Sequence, residues 1–359
     1  MQIGKFTDFY LDVTKTGTKI PQEKYLPIGQ YPIVDQGKSA IAGWWDDNDG
    51  IFEDVPAIIF GDHTRAIKYM VEPFFIGADG VKILRPANTK DNPKYLYYAL
   101  QAAKIPDLGY SRHFKAVKEL NIRTYSRSKQ DEIVRMLEKL DYLIEQRLIE
   151  ITCLDDLVKS RFLEQFENKH YQVEKLGTIC SKITDGTHKT PTYLDEGVTF
   201  ISAKNIVDGE LDFADIKHIS EEEYQEIQKR CQTDIFDILL SKSGSLGSPV
   251  IVKTKEKLGL FESLAVLKYD RDRLLPEFLC EQLKTDRVQR QFKTGTKGVA
   301  IKHLHLGVIA DTDIIVPPLD EQKTFAAFVA QVDKSKLAVQ QSLSELEILK
   351  KSLMQQYFS

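Results

Sequence analysis

Two stretches of the chain repeat apolar residues at intervals of three and four, the spacing of one face of an α-helix. The apolar positions are Ile133, Leu137, Leu140, Ile144, Leu148 and Ile151 in the first stretch, and Phe325, Val329, Val332, Leu343, Leu346 and Leu353 in the second. Neither residues 128–166 nor residues 320–358 contain Gly or Pro. The pattern predicts two helices of about forty residues, each roughly 60 Å long at 1.5 Å per residue.

The two stretches are copies of one another, because a constant offset of 192 residues aligns them without a gap. Gln130 aligns with Gln322, and Asp141 aligns with Asp333. Residues 317 and 318 are both Pro, so the second helix has a marked start, and we expect Asp320 to cap it. A helix this long with one apolar stripe needs a long partner, and we predict that the two copies form an antiparallel coiled coil. The alternative is two separate core helices, one in each domain.

The segments before the two helices are also related. Apolar runs separated by Gly, Asp and Asn predict strands in both. The predicted strands are YPIV from Tyr31, AIIF from Ala57, VKIL from Val81, VTFI from Val198, DILL from Asp237 and LAVL from Leu264; the predicted short helices are KYLYYALQ from Lys94 and EFLCEQL from Glu277. We therefore expect an α+β protein with an internal pseudo-two-fold repeat: a globular domain at residues 1–126, a long helix at 127–168, a second domain at 169–318 and a second long helix at 319–359.

Composition narrows the class of protein. Hydrophobic residues make up 42% of the chain and charged residues 28%, which is typical of globular proteins, and no tract is long and apolar enough to span a bilayer. The first residues do not resemble a secretion signal, so we expect a cytoplasmic location without a membrane partner. The cysteines, Cys153, Cys180, Cys231 and Cys280, are scattered without metal-site spacing, and we expect reduced, mostly buried thiols and no bound metal.

The formal net charge is −4, so any binding of nucleic acid has to depend on local basic clusters. One such cluster lies between residues 287 and 310, which contain Arg287, Arg290, Lys293, Lys297 and Lys302 but no Asp or Glu. A second lies at residues 109–118, which are also free of acidic residues. Both clusters contain Gly and precede a long helix. A solvated basic face is the alternative for any single lysine.

Several motifs resemble those of a known family, the specificity subunits (HsdS type) of Type I restriction-modification systems, across essentially the whole chain. KITDGTHKTPTY at residues 182–193, FISAKNI at 200–206, SKSGSLG at 241–247 and the loop at 297–303 occur in the family's order, and PPLDEQ at 317–322 is its most recognisable junction. YPIVDQGKSAIAGWW at residues 31–45 is similar to the family's alternative opening. The first copy departs from the pattern, because SRSKQDEI replaces PPLDEQ and DGTHKTP is missing.

The resemblance implies that each globular domain is a target recognition domain for one half of a bipartite, gapped site in double-stranded DNA. It implies that the paired helices set the spacing between the half-sites and dock two methyltransferase (HsdM-type) subunits, with restriction/translocase (HsdR-type) subunits joining later. S-adenosylmethionine, Mg²⁺ and ATP are then expected on those partners, and no cofactor on this chain. The helix positions expected to take part in docking are Leu137, Leu140, Ile151, Leu154, Val329, Val332, Leu343 and Leu346.

The DNA-binding candidates are polar or basic residues in loops of these two domains, where donors can reach phosphate or base edges. In the first domain they are Arg65, Lys68, Arg112, His113 and Lys115. In the second domain they are Thr187, His188, Lys189, Lys242, Ser243, Ser245, Lys297, Lys302 and His303. The alternative for residues 185–190 is an ordinary capping turn.

No catalytic residues are predicted. The chain has no Asn/Asp-Pro-Pro-aromatic motif of an amino-methyltransferase, no carboxylate cluster typical of a nuclease, and no Gly-Lys-Ser/Thr ending to make SKSGSLG a nucleotide-binding loop. The sequence therefore favours a DNA reader whose partners catalyse methylation and cleavage. A coiled-coil scaffold that binds only protein partners is the alternative.

Overall fold

The apolar runs predicted as strands and the periodic stretches predicted as helices form those elements in the computed structural model, which describes residues 1–77, 79–167, 169–295 and 303–359. The first elements in chain order are β1 (Gln2–Lys5), α1 (Phe6–Phe9), β2 (Tyr10–Asp12), β3 (Tyr31–Val34), β4 (Gly43–Trp45), β5 (Ala57–Gly61), β6 (Ile67–Met70), β7 (Phe75–Ile76), β8 (Val81–Pro86), α2 (Pro93–Ala102), α3 (Phe114–Val117), β9 (Asn121–Thr124) and α4 (Arg127–Phe162). A π-helical turn at Leu163–Glu167 extends α4.

The remaining elements repeat this order with additions. They are β10 (Gln172–Lys175), α5 (Leu176–Ile179), β11 (Cys180–Asp185), β12 (Val198–Ile201), β13 (Ile206–Val207), β14 (Glu210–Leu211), β15 (Lys217–Ile219), α6 (Glu221–Arg230), β16 (Ile238–Ser241), β17 (Pro249–Ile251), β18 (Leu258–Leu260), β19 (Leu264–Tyr269), α7 (Pro276–Lys284), α8 (Asp286–Gly295), α9 (Leu306–Ala310), β20 (Asp313–Val316) and α10 (Leu319–Phe358). The predicted strands, short helices and long helices are confirmed, with DILL starting one residue later than predicted.

The chain forms two compact units, and each takes part of both long helices. The first unit is Met1–Ile149 with Gln340–Ser359, and the second unit is Glu150–Val339. The predicted domain boundaries follow the chain and therefore divide it differently from these units.

The two units have the same sheet topology. The first contains an antiparallel sheet in the order β2-β8-β5-β6, a sheet β4-β3-β7 in which β3 and β7 are parallel, and the pair β1-β9. The second contains the matching sheets β11-β19-β16-β17 and β15-β12-β18 and the pair β10-β20, with an additional hairpin β13-β14. The predicted internal repeat and α+β class are confirmed.

Each unit has its core on both faces of the four-stranded sheet, which explains why its central strands are continuous apolar runs. In β5, Ile58 and Phe60 pack against the helices, while Ile59 packs toward the smaller sheet. In β16, Ile238 and Leu240 pack against the helices, while Leu239 packs toward the smaller sheet. Alternate residues of one strand therefore contribute to two cores.

A buried glutamine fixes the start of each long helix to its unit. Gln130 is 1% exposed; its Oε1 accepts the N–H of Asn92 at 2.7 Å and its Nε2 donates to the carbonyl of Tyr125 at 2.9 Å. Gln322 is fully buried; its Oε1 accepts the N–H of Leu275 at 2.8 Å and its Nε2 donates to the carbonyl of Pro317 at 2.8 Å. The two glutamines aligned by the sequence repeat therefore make matching hydrogen bonds.

In each unit, α4 and α10 run antiparallel. In the first unit, Lys129 of α4 lies 5.5 Å from the ring of Tyr357, and Asp141, further along α4, pairs with Lys350, which is earlier on α10. In the second unit, Asp155 pairs with Lys336 at 2.6 Å, and the ring of Phe162 lies 5.5 Å from that of Phe325. Each unit thus contains an antiparallel helix pair, as predicted.

The cap of α10 and the burial of the cysteines differ from the sequence predictions. Pro318, rather than Asp320, stands at the cap position before α10, because its carbonyl accepts the N–H groups of Glu321 and Gln322 at 3.1 and 3.2 Å; Asp320 lies within the first turn. All four cysteines are free, but only Cys231 and Cys280 are buried, since Cys180 is half-buried and Cys153 is exposed. Among the described residues, no helix combines the length and the apolar character that crossing a membrane requires.

Candidate nucleic-acid interface

The DGTHK loop of the second unit starts where β11 ends, at the buried Asp185. The carboxylate of Asp185 pairs with the ammonium group of Lys242, which is also buried, and with the guanidinium group of Arg230. His188 Nε2 lies 3.3 Å from the same carboxylate. Burial alone raises the pKa of Asp185, but the hydrogen bond and charge of Lys242 and the charge of Arg230 outweigh it and hold that pKa below its ordinary value.

A second carboxylate extends this ionic cluster. Lys242 Nζ donates to the carbonyl of Glu262 at 3.0 Å, and His303 Nε2 lies 3.4 Å from the carboxylate of Glu262. The cluster of Asp185, Arg230, Lys242, Glu262 and His303 therefore joins the ends of β11 and β16 to the residues before β19 and α9. The cluster therefore holds the start of the DGTHK loop in one position, beneath the exposed residues of the loop.

The cluster also resembles a cation site. Ligand atoms of Asp185, His188 and Glu262 lie within 4.8 Å of one another, a spacing that suits a metal ion. However, Lys242 and Arg230 already contact the two oxygens of Asp185. The positive charge that a metal would supply is thus provided by side chains, and we interpret the cluster as structural.

Gly186 allows the loop to lie directly on the neighbouring chain. A Cβ at this position would lie 2.1 Å from the carbonyl oxygen of Leu260. The close approach lets Thr187 donate its N–H to Leu260 at 2.9 Å and accept the N–H of Glu262 at 3.0 Å. Thr187 is half-buried, whereas Lys189 is exposed and His188 is exposed on one side, with its Nε2 directed at Asp185. The loop therefore presents an imidazole and an ammonium group from a rigid backbone.

The SKSGSLG loop lines a cleft of about 660 Å³ in the same unit. The lining includes four serine hydroxyl groups, the ring of Phe261 and the ammonium group of Lys204, together with the carboxylate of Asp208 and the aliphatic side chains of Ile206 and Val207; the serines are Ser202, Ser243, Ser245 and Ser263. Gly244, at the tip of the loop, has φ +70° and nothing within 4 Å of a Cβ position. Hydroxyl donors around a polar cleft suit the oxygens of a nucleic-acid backbone.

The matching position in the first unit is organised by Asp62, which follows β5. Its carbonyl accepts the N–H of His113 at 2.8 Å and also lies 2.9 Å from His113 Nδ1, and its carboxylate accepts the N–H of Phe114 at 2.7 Å. His113 Nε2 accepts the N–H of Leu108 at 3.1 Å. Because a carbonyl can only accept and an amide N–H can only donate, the ring is the neutral tautomer with its proton on Nδ1.

Three predicted DNA-binding side chains face the protein interior, so their predicted direct contact with DNA is corrected. His113 is 1% exposed, Lys242 3% and Lys68 8%. Lys68 Nζ donates to the carbonyl of Asp35 at 2.8 Å, and burial lowers the pKa of Lys68, an effect that Asp35 partly offsets. All three residues hold loops in place, because their polar atoms are satisfied inside the fold.

The other candidates divide into three groups. Arg112, Lys115, His188, Lys189 and Ser245 are exposed. Arg65, Thr187, Ser243 and His303 are half-buried, and Arg65, with a positive φ of 61°, pairs with Asp107 at 2.8 Å. Lys297 and Lys302 lie outside the described residues. The exposed group therefore supplies the contacts to test first.

The predicted docking positions on the long helices are mostly directed into the protein. Leu137, Leu140, Val329 and Val332 are buried, which corrects their assignment to a partner surface; Ile151, Leu154, Leu343 and Leu346 are half-buried. The exposed apolar residues on the helices are Tyr142, Leu148, Ile149, Ile348 and Leu349 in the first unit, and Leu157 and Leu337 in the second. The apolar periodicity located the helix faces that complete the cores, and of the exposed apolar residues only Leu148 belongs to the periodic set.

Comparisons with known proteins agree with this architecture. The family profile described as the Type I restriction modification DNA specificity domain matches residues 5–152 and 168–347. The S subunit of a Type I restriction-modification system from M. genitalium is similar in structure, with a TM-score of 0.59 and 17% identity over 100% of this chain and 96% of that one. No relative is detected among curated protein sequences.

A second solved structure concerns complex assembly and conformational transition of the type I R-M system; it has a TM-score of 0.54 and 17% identity over 99% of this chain and 97% of that one. At 17% identity the two structural matches establish the fold alone. The assignment of the chain to a family depends on the family profile.

Proposed function

We propose that this chain, which belongs to the Type I restriction-modification DNA specificity family, reads a DNA site in two separated halves, one with each of its units. It is the DNA sequence-specificity subunit of such a system. The observation that supports this proposal most directly is that the strand order and the strand-end loops occur twice in one chain. Two similar readers with different side chains suit a bipartite site whose halves differ in sequence.

The exposed loop residues divide naturally between positioning and reading. Lysine ammonium groups bind phosphate without sequence information, whereas a guanidinium group can bind guanine through two hydrogen bonds in the major groove. We therefore assign Lys115 and Lys189 to phosphate contacts, and Arg112 and His188 to base edges. Ser243 and Ser245 are assigned to the DNA backbone at the 660 Å³ cleft.

The long helices are proposed to bind two methyltransferase subunits through their exposed apolar residues. Tyr142, Leu148 and Ile149 on α4, with Ile348 and Leu349 on α10, form the candidate docking surface of the first unit. Restriction/translocase subunits would join this assembly. S-adenosylmethionine, Mg²⁺ and ATP would be bound by those partners, and each methyltransferase would flip its target adenine out of the duplex.

The test is to express the full chain with the methyltransferase subunit of its own system in a methylation-free host and to map modified adenines by single-molecule sequencing. A bipartite motif with a fixed gap is the expected result. The variant Arg112→Gln should relax one half of that motif and leave the other unchanged. Stable assembly without any sequence-specific methylation or DNA retention would contradict the proposal and favour a scaffold.

A further inference from the structure

The loop at residues 107–112 of the first unit presents one aromatic side chain entirely to solvent. Tyr110 is 103% exposed, more than any other large apolar side chain reported for the described residues. The chain contains fifteen tyrosines and eighteen phenylalanines that could pack against one another. The Tyr110 side chain nevertheless makes no ring contact and no hydrogen bond among the described residues. A folded domain gains nothing from a tyrosine ring held in this way, since the ring loses its favourable burial.

The base of this loop is held by hydrogen bonds on both sides. On one side, the carboxylate of Asp107 accepts the N–H of Gly109 at 2.9 Å and pairs with Arg65 at 2.8 Å. On the other side, Leu108 donates its N–H to His113, whose ring is fixed on Asp62. The loop thus has a defined conformation although its tip contacts nothing.

The backbone at the tip is shaped to project the side chain that follows. Gly109 has φ +63°, in the left-handed region that favours glycine, and a Cβ there would meet nothing within 4 Å. Tyr110 comes directly after this turn. The open space around Gly109 means that a flat surface can approach the loop closely.

The chain segment at residues 109–118, which contains the ring, is basic and has no Asp or Glu. Arg112, Lys115 and Lys118 are exposed within eight residues of Tyr110, and the nearby carboxylate of Asp107 is paired with Arg65. The hydrogen bond from Gly109 and the charge of Arg65 keep the pKa of Asp107 below its usual value. Asp107 is thus ionised, but its charge is paired with Arg65, so the charges of Arg112, Lys115 and Lys118 can attract a polyanion to the loop while the ring itself makes an apolar contact.

We propose that Tyr110 contacts the bases of the first half-site, with its ring against a thymine methyl group in the major groove, and that His113 and Asp62 are positioning residues for it. An apolar side chain on the thymine methyl is one of the direct ways in which a protein reads a base pair. The inference rests on the proposed function, because it needs sequence-specific binding of double-stranded DNA.

The full chain is assembled with its methyltransferase subunit, and this complex is used to select bound duplexes from a randomised DNA library. The affinity of the complex for the selected duplex is then measured. Tyr110→Ser is expected to lower the affinity for the selected duplex about tenfold to a hundredfold, because it removes a large apolar group that would be buried against the DNA. Tyr110→Phe should stay close to the unchanged protein. The matched control is Val71→Ser, because Val71 is 64% exposed and follows β6 at the end of the β5-β6 pair opposite to Asp62.

Replacing single thymines of the selected half-site by uracil removes only the methyl group. The unchanged protein should lose about fourfold in affinity at one position, the value for one buried methyl-sized group, and Tyr110→Ser should show no such difference. Equal binding of thymine and uracil at every position by the unchanged protein would overturn the inference. Failure of the unchanged protein to select any sequence would instead overturn the proposed function.

The positioning role of His113 is tested by non-additivity. If His113 acts through the loop, His113→Ala should weaken specific binding, and the double variant His113→Ala with Tyr110→Ser should be no weaker than the more damaging single variant. Additive losses would mean that His113 supports the fold in general, and the positioning assignment would be wrong.

Discussion

The two units hold their strand-end loops with the same backbone hydrogen bonds but with opposite side-chain chemistry. In the first unit, Asp62 donates its N–H to Gly80 at 2.7 Å and accepts the N–H of His113 at 2.8 Å. In the second unit, Lys242 donates its N–H to Ser263 at 2.7 Å and accepts the N–H of Leu304 at 2.9 Å. An anionic residue type thus occupies one strand end and a cationic residue the other.

The comparison separates the part of the loop attachment that is independent of sequence from the part that depends on it. The backbone groups supply the geometry, so the side chain at the strand end is free to serve a local network. In the first unit that network is a set of hydrogen bonds around the neutral ring of His113. In the second it is an ionic cluster around Asp185 and Lys242, which requires charges to be paired away from water.

The largest predicted effect is the loss of the buried ammonium group in the second unit. Lys242→Met removes the buried cation that pairs with Asp185 and should lower the free energy of unfolding by about 3–5 kcal/mol. The control is Lys255→Met at an exposed lysine, with an expected change within about 0.5 kcal/mol. Adding Asp185→Asn to Lys242→Met should recover part of the loss.

The chain contains its own reporters for this measurement. Both tryptophans, Trp44 and Trp45, are in the first unit, and all four cysteines are in the second. Burial raises the pKa of Cys180, Cys231 and Cys280 to about 12, so these thiols react slowly until the second unit opens. Faster thiol labelling with unchanged tryptophan fluorescence is expected for Lys242→Met; a change confined to fluorescence would contradict the assignment.

The next largest loss of unfolding free energy should come from replacing the buried glutamine at either helix start, and it should be equal in the two units. Gln130→Leu and Gln322→Leu each remove a buried amide that satisfies backbone groups on both sides of a helix start, and each should lower the free energy of unfolding by about 2–3 kcal/mol. Denaturant unfolding followed by far-UV circular dichroism measures the change. Gln146→Leu, at an exposed position of α4, is the control. Clearly unequal losses would mean that the two helix starts are not equivalent.

The dependence on pH should come from the ionic cluster. The folded-state pKa of Asp185 is lowered, so its contribution is complete above its unfolded value of about 3.9 and is lost as the pH falls through the folded value. The difference in unfolding free energy between the unchanged protein and Asp185→Asn should therefore shrink as the pH is lowered from 6 toward 3. A difference that stays constant over this range would show that the charge of Asp185 is not what stabilises the loop.

The smallest effect should come from the exposed lysines, one in each unit. Lys115→Gln and Lys189→Gln should each weaken DNA binding to a similar extent for all sequences and reduce the slope of log affinity against log salt by about 1. Affinity measured between 50 and 200 mM salt tests this. A change in the selected sequence would mean that the lysine reads a base.

Sequence predicted the fold more fully than the site, and the reasons are physical. Periodicity marks Leu137 and Val329 because a helix in contact with a core has to repeat apolar residues. The aligned glutamines Gln130 and Gln322 marked the repeat before their hydrogen bonds were visible. Pairing between distant strands leaves no comparable local pattern, so the sheet order came only from the structure.

The site was harder because the meaning of a charge depends on its partner. Lys242 resembles a phosphate-binding residue until Asp185, more than fifty residues earlier, is placed against it. The same is true of Lys68 and Asp35. Tyr110 was missed because an aromatic residue in a loop belongs to no period. Its signal was the position directly after Gly109, next to a basic segment.

The division of α10 between the units has a consequence for the order in which the protein folds during synthesis. Leu353, Met354, Tyr357 and Phe358 pack against the core of the first unit, whose other residues precede Glu150. The ribosome therefore finishes the entire second unit before it releases the residues that complete the first. The second unit can close while the first still exposes part of its core, so a nascent chain has to keep that surface from aggregating until residues 340–359 emerge.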